Sequence, residues 1–514
     1  MTVKASAGLQ RIATGVALGI VATIQWSFAR TMRNDAFVDE ATYISAGRML
    51  HAAATSASVA DAPPAFGTYF SGAPHLYPIL AAYADRTAGL EGARMVSYAC
   101  IVVAMLAVYV ATLHLFRDRL AGVVAAALFA AQAPVLFLSR QATFDAPCVA
   151  LLSVAVAACA VASSRRHSSA TLMACAVAGG CIGAAAAIKY ASLLYVPCVV
   201  ALAMCLSPHR RSWSGLVTAA AAAFAIAALL LSTDSPHDIA TGFLATTLSR
   251  GVVSGGRAVD ILAFAAQLGG LVGLLALPVF LIRSAVPRRA TATLCLFALA
   301  APLNHARLHE FVSLHKHVAF SLVLLAPLAG GALAIGARWV REEFEHGSAV
   351  AALTIAGIVG VLIVRLNVGP AAQHARALYA YWPNATRQAY LALAPIASAD
   401  ARILSEEPDL GWFYIGPKMP YANWTHPYYF RYQGKVATAA TDSLSRVALR
   451  DGYFDAIVLR YGPQRTWARA IEHELLGLQP VYRLAKQLPF ELSDGPGRYE
   501  LWVRSDAPGA EAVR

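Results

Sequence analysis

Charged residues are scarce in this chain. They account for 14% of its 514 residues, whereas soluble proteins carry about 25%. Hydrophobic residues make up 58%. A water-soluble domain of this size is therefore excluded, and the composition predicts a polytopic α-helical membrane protein.

Cysteine is also used sparingly, and its placement argues against two kinds of site. All eight cysteines lie inside or at the edge of apolar segments, and no two form a Cys-x-x-Cys pair. A disulfide framework or a thiolate zinc site needs a different pattern. We therefore expect neither.

Acidic residues are outnumbered, with 29 against 41 lysines and arginines, so the formal net charge is +12. A nucleic-acid-binding protein gathers such charge on one face. Here the basic residues form short clusters between apolar runs, which is typical of topology signals in membrane proteins. No nucleic-acid partner is expected.

Apolar runs of about 17 to 25 residues, with a few shorter ones, predict about eleven membrane crossings. These lie near 12–29, 93–116, 120–138, 146–164, 169–188, 191–206, 215–233, 260–282, 291–304, 318–336 and 348–364. The first run ends in Ser27-Phe28-Ala29, which fits a signal-peptide cleavage site, but its length favours a retained helix.

Basic clusters occur in every alternate turn between these runs, as the positive-inside rule requires. The clusters are Lys4/Arg11, Arg117/Arg119, Arg165/Arg166, Arg210/Arg211, Arg283/Arg288/Arg289 and Arg338/Arg341. This pattern predicts a multi-pass protein of the cell (inner or plasma) membrane with a cytoplasmic N-terminus. The C-terminal region is predicted to be exterior, or periplasmic.

The composition changes after Leu366, where apolar runs shorten to strand length. We expect a transmembrane domain over 1–366, with a first exterior loop at 30–92 that holds two short interfacial helices, and a small exterior α/β domain over 367–514. Strands are predicted at 402–405, 454–459 and 498–503, and a helix at 464–476.

Two adjacent acids, Asp39 and Glu40, stand in the first exterior loop beside the bilayer, where charge is costly. As a helix cap and a first-turn charge they would need no function. Alternatively, one carboxylate accepts a proton from an attacking hydroxyl, and the other binds a cation or orients that hydroxyl. Tyr43 shares their helix face.

Arg140 and Asp145 lie in the short exterior turn between the third and fourth spans. They could simply pair with each other. Alternatively, Arg140 binds an anionic lipid phosphate while Asp145 helps to hold the acceptor, a metal or the arginine itself.

Lys189-Tyr190 interrupts a long apolar stretch at another exterior turn. A lysine at a helix end can extend to the interface without any partner. The competing interpretation is that Lys189 is a point-charge ligand for a phosphate.

The loop between the ninth and tenth spans gathers four histidines. His305 and His309 have metal-ligand spacing on a helix, and His315 and His317 flank Lys316. Phosphate contact, metal ligation and an exposed polar loop all remain open. The sequence therefore leaves open whether the protein binds a divalent metal ion. The candidate ligands are Asp39, Glu40, His305 and His309.

Taken together, these motifs resemble the GT-C superfamily of membrane glycosyltransferases, nearest to the protein O-mannosyltransferase and aminoarabinose-transferase group. The resemblance covers residues 10–210 well and the later part mainly in topology. It rests on the order and sidedness of Asp39-Glu40 with Tyr43, Leu76-Tyr77-Pro78, Arg94, Ser139-Arg140, Asp145-Ala146-Pro147 and Lys189-Tyr190.

The resemblance implies a polyprenyl-phosphate sugar donor, an acceptor that approaches from the exterior side, and inversion at the anomeric carbon. By that resemblance Asp39 is the catalytic base, Glu40 its helper and Asp145 a second acid. Arg140, Lys189 and Lys316 would face the donor phosphate. Substrate contacts are also expected from Tyr43, Tyr77, Tyr190, His315 and His317.

We therefore predict an inverting glycosyltransferase whose acceptor is a glycan, lipid or protein of the cell envelope. The enzyme itself is expected to contact membrane lipids. The absence of a Trp-Trp-Asp motif disfavours an oligosaccharyltransferase. A transporter or flippase of a lipid-linked substrate is the alternative, although the sequence shows no inverted repeat. A catalytically silent scaffold that binds envelope partners is a further rival.

Overall fold

The fold is taken from a computed structural model. It describes residues 7–55, 70–73, 75–164, 168–207, 211–232, 236–249, 255–281, 286–343, 365, 368–380, 382–427, 431–436, 442–462, 467–478 and 480–513. The chain forms two compact units. We call residues 1–32 with 64–376 the helical unit, and residues 33–63 with 377–514 the sheet unit.

Helices dominate the chain up to residue 379. In the described residues they are α1 (Ala7–Ala29), α2 (Val38–Thr55), α3 (Leu76–Phe116), α4 (Arg119–Ala130), α5 (Ala133–Leu138), α6 (Asp145–Ser163), α7 (Ser168–Ile188), α8 (Val196–Leu206), α9 (Arg211–Leu231), α10 (Pro236–Phe243), α11 (Ala258–Ala276), α12 (Arg288–Ala298), α13 (Ala300–Arg307), α14 (Leu314–Glu343) and α15 (Gly369–Tyr379). A 3-10 helix, Tyr190–Tyr195, leads into α8.

The chain is a multi-pass membrane protein. Seven helices in the described part are long and apolar enough to cross a bilayer. Seven of the predicted spans coincide with these helices. The spans predicted at 120–138, 191–206 and 291–304 are each divided between two shorter helical segments, and the one at 348–364 lies outside the described residues. The number of crossings therefore stays a prediction.

The first predicted exterior loop holds two short helices, as expected. The first is α2, and the second is the initial part of α3, residues 76–87. The backbone is non-helical at Ala88 and Gly89, where Gly89 has a φ of +65°, and this break separates the short helix from the long apolar part of α3. A glycine adopts that backbone conformation without steric strain.

Small residues let the helices of the helical unit approach closely. Gly179 and Gly183 lie one turn apart on α7, facing α9. A Cβ atom at Gly179 would lie 2.2 Å from the carbonyl oxygen of Thr218, and one at Gly183 would lie 2.5 Å from that of Ala222. Since lipid provides no hydrophobic drive between helices, such close packing is a main source of their association.

Besides α2, the sheet unit contains a small mixed sheet and several helices. Its described elements are α16 (Thr386–Leu391), β1 (Ile403–Ser405), α17 (Pro408–Ile415), β2 (Trp424–Thr425), β3 (Arg431–Tyr432), β4 (Lys435–Val436), α18 (Asp442–Arg450), β5 (Ala456–Tyr461), α19 (Trp467–Gly477), β6 (Tyr482–Leu492) and β7 (Gly495–Arg504). The five-stranded sheet has the order β2-β1-β5-β7-β6.

Strand β1 pairs parallel with β2 and β5, whereas β7 pairs antiparallel with β5 and β6. All six residues of β5 are buried, and Ile457, Leu459 and Tyr461 pack in one core with residues of α18 and α19. The three predicted strands and the predicted helix are confirmed as β1, β5, β7 and α19. The division of the chain at residue 366 into membrane and exterior parts remains a prediction.

Candidate functional site

A buried ion pair forms the centre of a polar cluster in the helical unit. Asp145 is the first residue of α6, and Lys189 directly follows α7. The Lys189 ammonium donates to Asp145 Oδ1, and the two side chains are only 6% and 1% exposed. Lys189 therefore does not extend to solvent, and the interpretation as an unpartnered interfacial lysine is wrong.

Three further polar groups surround the Asp145 carboxylate. Thr143 Oγ1 donates to Oδ2 at 3.3 Å, and His317 Nε2 lies 3.8 Å from Oδ1. Lys316, which is 6% exposed, interacts electrostatically with both Asp145 and Lys189. Removing two ions from water is costly, so a buried pair persists only when such extra partners satisfy it.

A short loop before α3 holds Lys189 in place. The Tyr190 amide donates to Ser71 O at 2.6 Å, and the Ala73 amide donates to Ala187 O at 2.9 Å. Gly72 lies between these bonds, where a Cβ atom would come within 1.9 Å of Ile188 O. Only glycine permits this approach, so the loop fixes the end of α7 and with it the lysine.

Two histidines extend the cluster away from Asp145. His305 Nε2 lies 2.7 Å from His317 Nδ1, and His305 Nδ1 donates to Glu310 O at 2.8 Å. His309 instead bonds Gly256 O at 3.0 Å, with a φ of +52°. His315 packs edge-on against Phe137, with ring centres 5.0 Å apart. Within the described residues, no three side chains of metal-ligand type are grouped, so we assign no metal ligand.

Arg140 and Asp145 do not pair with each other. Each has a different ionic partner. Arg140 Nη2 contacts the Glu91 carboxylate at 2.5 Å, and its Nε donates to Met32 O at 2.9 Å. Glu91 also lies 3.5 Å from Arg94 Nη1, one helical turn later on α3. Glu91 was missed from the sequence, although its i, i+3 spacing to Arg94 could have suggested it.

Two of the predicted substrate contacts are buried aromatic residues near the lysine. Lys189 Nζ lies 5.0 Å from the ring centre of Phe144, and Tyr77 meets that ring edge-on at 6.4 Å. Tyr190 packs against Phe243 at 5.3 Å. Tyr77 and Tyr190 thus help to wall the cluster, while their contact with a substrate stays a prediction.

The acid pair belongs to the sheet unit. Asp39 lies in the first turn of α2, and Glu40 Oε2 accepts from the Phe37 amide at 3.3 Å. The Glu40 side chain thus accepts from the backbone amide at the N-cap of α2, as the glutamate at position N3 of a capping box does. Tyr43 is buried in the same helix. Asp39 is half-buried, and its role as a base remains a prediction.

A third carboxyl near this pair was not expected from the sequence. Asp409, in the first turn of α17, interacts electrostatically with Asp39. Tyr421 donates to Asp409 Oδ1 at 3.0 Å. Burial raises the pKa of Asp409 above its usual value. The acid-rich turn Glu406-Glu407-Pro408-Asp409 after β1 was the available signal.

The structure therefore gathers the predicted residues into two groups. Asp145, Lys189, Lys316, His317 and His305 lie together in the helical unit. Asp39 and Glu40 lie in the sheet unit, with Asp409. The first group can bind an anion, and the second offers carboxylates for proton transfer.

Residues 85–235 match the family of dolichyl-phosphate-mannose-protein mannosyltransferases. Comparison with curated proteins gives no match. Among solved structures, ArnT from Cupriavidus metallidurans bound to undecaprenyl phosphate is similar, with a TM-score of 0.58 and 14% identity over 98% of this chain and 99% of that one. The fold is that of the GT-C glycosyltransferases.

The oligosaccharyltransferase of Archaeoglobus fulgidus shares this fold. Its apo form has a TM-score of 0.57 at 14% identity, over 87% of this chain and 69% of that one. The same enzyme, AglB, with an inhibitory peptide and a dolichol-phosphate gives 0.55. These likenesses concern the fold alone. Together with the family match over 85–235, the fold indicates a glycosyltransferase.

Proposed function

We propose that this glycosyltransferase moves a sugar from a polyprenyl-phosphate donor to a hydroxyl of its acceptor, with inversion, on the exterior face of the membrane. The observation that carries the proposal is the buried cluster of Asp145, Lys189 and Lys316, whose two cations outnumber its one anion. Such an excess suits a phosphate group at the end of a lipid. The similar proteins ArnT and AglB are described with undecaprenyl phosphate and dolichol-phosphate.

In this reaction the acceptor oxygen forms a bond to the anomeric carbon as its proton passes to Asp39. The bond from that carbon to the phosphate oxygen breaks, and the polyprenyl phosphate leaves with the electron pair. Lys189 and Lys316 stabilise the charge that develops on the phosphate. Asp145 holds Lys189 in place, and Glu40 orients the acceptor.

Arg140 is proposed as an additional phosphate ligand. In the structure Arg140 pairs with Glu91, whose side chain is 58% exposed. A donor phosphate would therefore have to replace that carboxylate, which is an easier exchange than breaking the buried Asp145–Lys189 pair.

The alternation of basic turns supports the exterior location that we propose, with the N-terminus in the cytoplasm and the residues after 366 outside the membrane. The acceptor is a glycan, lipid or protein of the cell envelope. A dependence on divalent metal is tested by adding EDTA to the same assay.

The test measures consumption of a polyprenyl-phosphate hexose by the purified full-length protein, supplied with an envelope extract as acceptor. Asp39→Asn should lower the rate by about 10²-fold or more, as expected for loss of a general base. Asp260→Asn is the matched control, since Asp260 is also a first-turn acid, on α11, but is solvent-exposed. Equal rates for Asp39→Asn and the unaltered protein would remove Asp39 as the base.

A further inference from the structure

Two histidines of the helical unit, His305 and His317, lie beside the proposed phosphate site. We propose that His317 takes up one proton when the phosphodiester of the donor becomes the phosphomonoester of the product, and that His305 holds the His317 ring in the orientation that allows this. The inference rests on the proposed function, because the lipid phosphate is the group whose charge changes.

The hydrogen bonds of the two histidines fix where their protons lie. A backbone carbonyl can only accept, so the bond of 2.8 Å between His305 Nδ1 and Glu310 O places a proton on that nitrogen. The Nε2 of a neutral His305 is then an acceptor. Its partner at 2.7 Å, His317 Nδ1, must therefore donate. A neutral His317 with its proton on Nδ1 has a lone pair on Nε2.

This Nε2 atom of His317 lies on the side of Asp145, 3.8 Å from Oδ1. That distance is longer than a hydrogen bond, and the Lys189 ammonium donates to the same oxygen. His317 can gain a proton on Nε2 while its Nδ1 still donates to His305. The charged ring would then form an ion pair with Asp145, and no existing hydrogen bond would have to break.

The charge balance of the site gives a reason for this proton. Asp145, Lys189 and Lys316 carry one net positive charge when the histidines are neutral. That charge matches the single negative charge of a phosphodiester. A phosphomonoester carries two negative charges above its second pKa of about 6. One of them is then unmatched among side chains that are between 1% and 6% exposed, where an unpaired charge is costly.

The protons and electrons of the step balance. The acceptor hydroxyl gives its proton to the proposed base, and the phosphate keeps the electron pair of the bond that breaks. A second proton comes from solvent to His317 Nε2 and returns to solvent when the product leaves. The His317 side chain is 13% exposed, and a cavity of about 30 Å³, large enough for one water molecule, borders both imidazoles.

Other titratable groups surround the two histidines from the neighbouring elements. They are Asp145 of α6, Lys189 after α7, Tyr195 at the cavity, Glu310 in the loop after α13, and His315 and Lys316 of α14. The Glu310 carboxylate accepts from the Val312 amide at 2.8 Å, and Arg307 of α13 is exposed. Asp145 therefore supplies the negative charge that faces Nε2 of His317.

The experiment uses the full-length protein in detergent at about pH 8, where a polyprenyl phosphate is a dianion and its methyl diester a monoanion. Isothermal titration calorimetry in two buffers with different ionisation enthalpies gives the number of protons taken up on binding. The unaltered protein should take up about one proton with the polyprenyl phosphate and none with the diester.

The variant His317→Gln should take up no proton with the polyprenyl phosphate and bind it about tenfold more weakly, with its affinity for the diester unchanged. His309→Gln is the matched control, since His309 also bonds a backbone carbonyl, Gly256 O at 3.0 Å, but is exposed. It should behave as the unaltered protein does. Proton uptake that persists in His317→Gln would overturn the assignment, because the proton then binds another group.

The outcomes separate this inference from the proposed function. If the unaltered protein binds both lipids with equal proton uptake, the inference alone is overturned. If neither lipid binds, the proposed phosphate site is lost as well. Should His317→Gln fail to fold, nitrogen NMR of the histidine-labelled unaltered protein decides. A ring nitrogen should become protonated with the polyprenyl phosphate but not with the diester, and unchanged signals would refute the proposal.

Discussion

Replacing Lys189 by methionine should destabilise the protein because it leaves the Asp145 carboxylate buried without its main partner. Methionine keeps the apolar stem of the lysine and removes only the charge, so packing around the side chain is largely conserved. Asp145 is 1% exposed and cannot regain hydration without structural change.

The expected loss can be worked out from the surroundings. Breaking a buried ion pair by removing one partner costs about 3–5 kcal/mol. Lys316 and the imidazole of His317, 3.8 Å away, remain beside Asp145 and offset part of the penalty. We therefore expect the lower end, about 3 kcal/mol, which is a change of about 10²-fold in the unfolding equilibrium. Asp145→Asn combined with Lys189→Met should regain most of this loss, because no unpaired carboxylate is left.

Reversible unfolding in mixed detergent and SDS micelles measures these differences. Arg257→Gln is the control, since it breaks an ion pair with Asp260 whose side chains are 79% and 44% exposed. No measurable change is expected there, because solvent screens such pairs. Lys189→Met with unchanged stability, or a double variant less stable than Lys189→Met, would refute the reasoning.

Three further outcomes are expected. Gly72→Ala should displace Ile188 and Lys189 and raise the KM for the donor several-fold in the donor-consumption assay, whereas Gly180→Ala, on α7 with open space around it, should not. Arg460→Met should lower the free energy of unfolding by about 3–5 kcal/mol in the same SDS titration, because Glu407 is then buried without a cation, and an unchanged free energy would contradict this. The raised pKa of Asp409 means that its stabilising contribution is complete below its unfolded pKa and is lost as pH rises through the folded pKa. The stability of Asp409→Asn relative to the unaltered protein should therefore increase as the pH rises from the unfolded pKa through the raised folded pKa, and a pH-independent difference would contradict this.

Much of the fold could be predicted because it depends on local patterns. A run of about 20 apolar residues must become a helix in lipid, since each backbone polar group needs a partner within its own segment. Seven predicted spans accordingly coincide with long apolar helices. Short apolar runs between turn residues likewise located β1, β5 and β7.

The separate short helix that starts at Leu76 was predicted in the same way, because its apolar stretch is too short to span a membrane, and the break at Ala88 and Gly89 agrees with it. The loop before this helix could not be predicted. Residues 70–73 dock against the end of α7, and that contact joins segments distant in sequence.

The sequence by itself determined that this is a multi-pass membrane protein, and it singled out Asp145, Lys189 and the histidine-rich loop as polar positions between apolar spans. Only the tertiary structure decided the partners. Asp145 bonds a lysine 44 residues away instead of Arg140, and Asp409 reaches a helix more than 350 residues earlier. The physical reason is that hydropathy reports which face of a segment avoids water, while an ion pair or hydrogen bond depends on which distant segment packs against that face.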